Sequence, residues 1–479
     1  MNPLFLEITV VLLGIALLMV EAFFPELCKK RLALIGVGGL FFVLILTWLP
    51  MNSLSIESAP FYTIDTVALY FKRFMIVTTI IILLMSLDYI PVIERGIPGE
   101  RPGAGVGEFF ILPIFACASL MWLVSAVSFI LLFVSLECMT VVLYISISYL
   151  RKDPKSLEAG TKYLILSALT TGFLIYGISW IFGVTGTTSI AHLAESIVLL
   201  PASSMTPLLF GTGLILVALC FKIAAFPFQF WLPDVYQGAP TPITAFLSIA
   251  SKAAGFVLLL RFLEQLYLIP TLGKKVLAIT TLLAIVTLLF GNLAAMAQTN
   301  MKRLLAYSSI AHTGYVLMAV ASIGATLAVP AIGFYLVAYL AMTSLAFIVL
   351  MIVTETSGGD EIYCFQGLHE RSPLLAAAMT VAMISLAGLP FSAGFFGKFF
   401  IFQVAFQQGH YGLLAVGTLS VVAGIYYYLK VVKAMYWKQP SAISAPITLS
   451  KLTTVLVSGL IAVIIILGIY PTPLLMSLH

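Results

Sequence analysis

Charge is what this chain has least of. Asp, Glu, Lys and Arg make up 9% of its 479 residues, against about 25% in ordinary soluble domains, so a soluble fold is excluded. Cysteine is also scarce. Cys28, Cys117, Cys138, Cys220 and Cys364 are scattered and no two form a CxxC pair, which argues against a disulfide framework, an iron–sulfur cluster and structural zinc. There is no P-loop, dinucleotide fingerprint, haem-attachment motif or metal-ligand spacing, so no cofactor is expected in this chain. The net charge of +5 is small and sits mostly in loops, which speaks for membrane orientation and against nucleic acid. The first apolar run, residues 4–24, lacks a basic leader and a small-residue cleavage site; it reads as a retained span in the lipid bilayer.

What remains is hydrophobic: 61% of the residues, with a mean hydropathy of +1.13. Runs long enough to span fall at 4–24, 31–49, 66–87, 109–125, 127–149, 160–183, 206–238, 242–262, 276–296, 303–323, 329–354, 373–408, 411–432 and 452–470, which predicts an all-α polytopic membrane protein with fourteen spans. Lys29, Lys30, Arg31, Arg95, Arg101, Arg151, Lys152, Lys155, Lys302, Arg303, Arg371, Lys433, Lys438 and Lys451 fall on one set of alternate loops, and Arg261, Lys274 and Lys275 on the other. The positive-inside rule makes the first set cytoplasmic and puts both termini on the opposite side, which is the periplasm if the membrane is a bacterial inner membrane.

Spans seven and twelve are too long. As one helix, Thr206 to Gly238 would run roughly 50 Å against a hydrocarbon core of about 30 Å, so a break is expected, most naturally at Pro227. A short half-helix through Trp231, Pro233 and Asp234 then precedes the span carrying Lys252. Residues 373–408 echo this pattern, with Gly388-Leu389-Pro390-Phe391 in the middle and Lys398 beyond. Spans 160–183 and 329–354 share a Tyr-Leu opening (Tyr163, Tyr335) and a Thr eight residues on (Thr171, Thr343). The two broken spans are separated by five others, so they enter from opposite sides. That is the pattern of two inverted five-helix repeats with a site near the midplane. The division predicted is three leading helices in 1–108, a first repeat in 109–264, a second in 265–438 and a trailing helix in 439–479.

Glu137 and Lys252 lie near the centres of their spans, and Lys222 and Lys398 flank the two breaks. Together such groups oppose insertion by roughly 10 kcal/mol before partners are counted. One acid and three lysines cannot all neutralise one another, so an ion pair that merely locks two helices does not account for the set. A buried lysine is pulled toward neutrality by desolvation and toward charge by a nearby glutamate; it can load and release a proton as that partner moves. His312, about ten residues into its span, could carry a proton between the halves. Asp234 could cap the half-helix or line an access path, and Lys430 is either an anchor or an exit relay. Lys302 and Arg303 read as cytoplasmic anchors, Lys72 and Arg73 as snorkelling side chains, and Tyr426 to Tyr428 as interfacial aromatics, following the usual habits of these types.

The stretches FKIAAFPFQFWLPDVYQGAPTPITAFLSIASK, QTNMKRLLAYSSIAHTGY and SLAGLPFSAGFFGKFFIF closely resemble signatures of the antiporter-like subunit N family of proton-pumping NADH-quinone oxidoreductase, respiratory complex I. The YQGAPTP turn is the specific part, and Lys398, where subunit M carries a glutamate, argues against that sister family. Phe391-Ser392 departs from the family's usual second proline and threonine. The resemblance implies a non-catalytic, proton-translocating translocase subunit driven by quinone reduction, with NADH, FMN, iron–sulfur clusters and quinone held elsewhere in the complex. It implies that Glu137 pairs with Lys222, that Lys252 relays toward the second half, and that Lys398 lies on the exit side. Subunits M, K and J are the neighbours it implies. A cation/proton antiporter subunit and a purely structural spacer are the alternatives.

Overall fold

A computed structural model describes residues 4–24, 26–49, 61–98, 103, 105–438 and 446–478. Arg101, counted above for orientation, lies outside them. Among the described residues the chain is helical with no β-strand, only isolated bridges. Ten helices among the described residues are long and apolar enough to cross a membrane.

Three helices lead: α1 (Phe5–Phe23), α2 (Lys29–Leu46) and α3 (Thr66–Ser86). They pack on one another and on α4 (Val106–Val124). A tight turn at residues 125–128, with Ser128 as N-cap, separates α4 from α5 (Phe129–Ile147). Helix α6 (Pro154–Thr185) starts on an Asp153 cap with proline in its first turn and stops at left-handed Gly186, a standard pairing of start and stop signals. It packs along α7 (Met205–Ile223), where the two backbones touch. A Cβ on Gly177 would lie 2.7 Å from the Gly211 carbonyl oxygen, and one on Gly211 2.9 Å from that of Gly177. Gly211→Val is therefore expected to force the helices apart at a cost of about 1–3 kcal/mol. A lowered thermal midpoint of the purified protein is the readout, and an unchanged one would show that this crossing is loose.

The first break begins four residues before the expected proline. Helix α7 ends at Ile223; Ala224 adopts φ 57° and the Ala225 N–H bonds back to the Cys220 carbonyl. This is a Schellman-type stop on a residue that usually favours helix. The exposed carbonyls find donors: Trp231 Nε1 reaches Phe221 O at 3.0 Å and Thr313 Oγ1 reaches Ile223 O at 2.8 Å. Tertiary donors thus override the local preference of alanine. Phe226–Pro227 is cis, and the short α8 (Leu232–Gly238) follows.

Next come α9 (Thr241–Tyr267), α10 (Pro270–Met296), α11 (Met301–Val320) and α12 (Ala328–Ser357). The most apolar windows of α9 and α12 are 100% and 94% buried, so these two helices form the centre. Within α9, residues Leu247–Ser251 form a π turn directly before Lys252. The second break separates α13 (Pro373–Ala387) from α14 (Ala393–Gln407). It repeats the first: Gly388 is left-handed at φ 83° and the Leu389 N–H bonds back to Ile384 O. Helices α15 (Tyr411–Trp437) and α16 (Lys451–Leu467) follow, and a short helical turn at Thr472–Met476 comes after them.

Candidate functional site

Lys222, Lys252 and Lys398 are 6%, 4% and 5% exposed, so all three are enclosed by the helices around them. Lys222 lies in the last turn of α7, where its cation complements the helix dipole. Its Nζ donates to Thr140 Oγ1 at 2.9 Å and Ser167 Oγ at 3.0 Å and sits 5.8 Å from the Tyr163 ring centroid. Glu137 is half-buried and accepts from Thr171 Oγ1 at 2.7 Å. No ion pair joins Glu137 to Lys222 among the described residues. Thr140 follows Glu137 by three residues and Ser167 precedes Thr171 by four, so acid and base occupy adjacent rungs on α5 and α6, about one helical turn apart. The direct pairing implied by the resemblance is thus replaced here by two hydroxyl-held charges. Of the two residues noted in the sequence as repeat markers, Thr171 holds Glu137 and Tyr163 turns its ring toward the Lys222 amine.

Lys252 extends from the π turn toward α11. Its Nζ donates to Ser309 O at 2.8 Å, Ser309 Oγ at 2.5 Å and Thr313 Oγ1 at 3.1 Å. Thr313 also holds Ile223 O, next to Lys222, which links the first break to the Lys252 pocket. Ser309 Oγ further accepts from Tyr339 at 2.8 Å. One turn along α11, His312 bonds Tyr335 Oη through Nδ1 at 2.6 Å and Tyr428 Oη through Nε2 at 3.0 Å, and Tyr428 bonds Ser308. A small cavity lined by Lys252, Ser309, His312, Thr313, Tyr335 and Tyr339, among others, has room for about one water. The polar face of α11, the sequence run SSIAHT, is therefore the spine that joins the Lys252 pocket beside the first break to the His312, Tyr335 and Tyr428 group.

Lys398 closes the second break. From α14 its Nζ donates to Leu386 O at 2.9 Å and Ala387 O at 2.8 Å, the last carbonyls of α13, and it lies 4.9 Å from the Tyr315 ring centroid. The first break is capped by neutral donors and the second by a cation.

Several readings of the sequence change. Lys72 does not snorkel: it is fully buried and paired with Glu7 at 2.6 Å. Arg73 donates to Thr47 O at 2.8 Å at the C-terminal end of α2. Lys302 is not a headgroup anchor, since its buried amine reaches Ala239 O at 3.0 Å, just past the end of α8. Arg303 and Lys162 both pair with Asp234, at 2.9 and 2.8 Å, beside a surface pocket of about 180 Å³. Tyr427 and Tyr428 are buried, and Tyr426 alone faces outward. Lys430 ends on Gln298 O at 2.9 Å without a hydrogen bond to the His312 group. Among the described residues no cluster of three His, Cys, Asp or Glu side chains could hold a metal.

The family described as NADH:quinone oxidoreductase/Mrp antiporter, transmembrane, matches residues 126–424. NADH-quinone oxidoreductase subunit N of Trichlorobacter lovleyi is 39% identical over 442 residues, 91% of this chain and 88% of the relative. That of Moorella thermoacetica is 37% identical over 475 residues, 99% and 96% of the two chains. A chain of respiratory complex I from Thermus thermophilus with bound aureothin superposes with a TM-score of 0.80 at 31% identity, covering 99% of each chain. With matches that run nearly end to end and take in both helix breaks, this chain belongs to the NADH:quinone oxidoreductase/Mrp antiporter family, in the group of NADH-quinone oxidoreductase subunits N.

Proposed function

We propose that the chain is a membrane-arm subunit of a proton-translocating NADH-quinone oxidoreductase and moves protons along Glu137, Lys222, Lys252, His312 and Lys398. Quinone reduction elsewhere in the complex drives the movement. One observation carries the reading: among the described residues, each of the three central lysines is held by hydroxyls or carbonyls, with no carboxylate in ion-pair reach. Neutral acceptors tolerate both the ammonium and the amine, whereas deprotonating one member of a tight pair strands its partner's charge. Such lysines are suited to exchanging protons rather than to locking helices.

The finer architecture belongs to the same proposal: fourteen spans, two inverted five-helix repeats after three leading helices, and both termini on the periplasmic side of a bacterial inner membrane. The matching stops at Ala224 and Gly388 support the repeat. NADH, FMN, iron–sulfur clusters and quinone would reside in other subunits, with M, K and J as neighbours. Asp234 and Lys430 fall away from the axis and are read as supports of the cytoplasmic helix ends.

The test is proton pumping per electron pair by the whole complex in proteoliposomes, with Lys222→Ala and the size-matched Lys222→Met compared with wild type after assembly is checked on native gels. Fewer protons per pair, or an oxidation rate that falls together with pumping, is expected. Unchanged rate and stoichiometry would remove Lys222 from the relay. Because the family also includes Mrp antiporters, co-purification with quinone-site and iron–sulfur subunits separates the oxidoreductase reading from a stand-alone antiporter.

A further inference from the structure

The leading helices carry a fully buried acid–base pair that the relay does not use. Glu7 of α1 and Lys72 of α3 are both 0% exposed and meet at 2.6 Å. Tyr62 bonds both, donating to Glu7 Oε1 at 3.0 Å and accepting from Lys72. The other carboxylate oxygen of Glu7 has no hydrogen-bond partner among the described residues. Such a pair contributes little net stability but strongly disfavours any other register, because a shift strands both charges in apolar surroundings.

What α3 touches gives that register a consequence. It packs against α9 on both sides of the junction between residues 241–246 and the π turn that presents Lys252. Two residues before Lys72, Tyr70 Oη donates to Gly333 O of α12 at 3.2 Å, just before Tyr335, the partner of His312. At its start, the α3 N-cap Asp65 is held by both Nη atoms of Arg261 at 2.9 Å, and Arg261 lies on α9 nine residues beyond Lys252. Arg261 Nη2 also donates to Val124 O at the end of α4, at 3.1 Å. Helix α3 therefore braces two walls of the Lys252 pocket, α9 and α12, against the third, α11.

We propose that Glu7 and Lys72, keyed by Tyr62, are positioning residues that fix α3 against the π turn of α9 and the Gly333–Tyr339 stretch of α12, and so hold Lys252 against Ser309 and Thr313. This rests on Lys252 being a working relay. Either single change, Glu7→Gln or Lys72→Met, leaves one buried charge alone and displaces α3. The neutral pair Glu7→Gln/Lys72→Met removes both charges and restores the fit. If the singles fail to assemble, Tyr62→Phe removes only the bridging hydroxyl and is the milder probe.

The experiment measures pumping by the whole complex in proteoliposomes, together with backbone amide hydrogen exchange at Leu247–Lys252, with Lys252→Met run in parallel. The singles, or Tyr62→Phe in their place, are expected to lower pumping by roughly tenfold, as a small misplacement remote from the chemistry can, and to speed exchange at the π turn. The neutral pair is expected to return both readouts toward wild type. Singles that pump normally overturn the proposal. So does a neutral pair that assembles and stays as impaired as the singles, since the charges themselves would then be in use. If Lys252→Met pumps normally, the relay reading fails on its own, and any loss in the singles then has another cause.

Discussion

Lys398→Met is expected to cost about 2–4 kcal/mol of local stability and to stop proton transfer through the second half. Leu386 O and Ala387 O, the acceptors it leaves behind, are the terminal carbonyls of a helix that ends inside the bundle. Stranding two buried carbonyls carries a cost of that size, and methionine fills the space of lysine without a donor. Faster hydrogen exchange across residues 384–395 would report the loosened break. The companion variant separates structure from transport. Lys398→Arg keeps donors and positive charge at the end of α13, so the break holds, but a guanidinium does not give up its proton under these conditions. Pumping should therefore fail in Lys398→Arg while exchange at the break stays near wild type. If the arginine variant pumps normally, Lys398 is a cap and nothing more.

The breaks themselves were half legible. Excess span length and the prolines required an interruption near Pro227 and Pro390, and both lie in the linking segments. The position where α7 stops was not legible, because nothing local makes alanine adopt φ 57°. That conformation depends on donors supplied from Trp231 and, across 90 residues, from Thr313. The π turn before Lys252 was hidden for a similar reason, since LSIAS carries neither glycine nor proline.

Among the charges, depth along a span singled out Glu137 and Lys252, the two helix breaks singled out Lys222 and Lys398, and the run SSIAHT contained the residues around His312. Glu7 was missed because it lies two residues into its helix, where a carboxylate commonly faces water, and its partner is 65 residues away. The three consecutive tyrosines could have been read more closely. Successive helical residues turn by about 100°, so Tyr426, Tyr427 and Tyr428 cannot share a lipid-facing side. The first is 60% exposed and the other two 1%, and Tyr428 turns out to be a partner of His312.

Lys252→Met is expected to separate stability from transport most sharply. The groups that Lys252 contacts keep other partners without it: Ser309 Oγ retains Tyr339 at 2.8 Å, and Thr313 Oγ1 retains Ile223 O at 2.8 Å and Ser309 O at 3.1 Å. A near-isosteric apolar side chain should therefore shift stability by less than about 1.5 kcal/mol. Transport has no such reserve. Lys252 is the titratable group between the Thr313 contact at the first break and the His312 group, and hydroxyls alone supply no ammonium to load. Raising the transfer barrier by only about 1.4 kcal/mol slows the step tenfold, so the loss in pumping should be at least about that large. Complex that assembles, melts like wild type and pumps less than about a tenth as fast would put Lys252 in the path. A complex that pumps normally would show that protons cross between the halves by another route, while a complex that falls apart would mean that the amine, and not the surrounding hydroxyl network, holds α9 to α11.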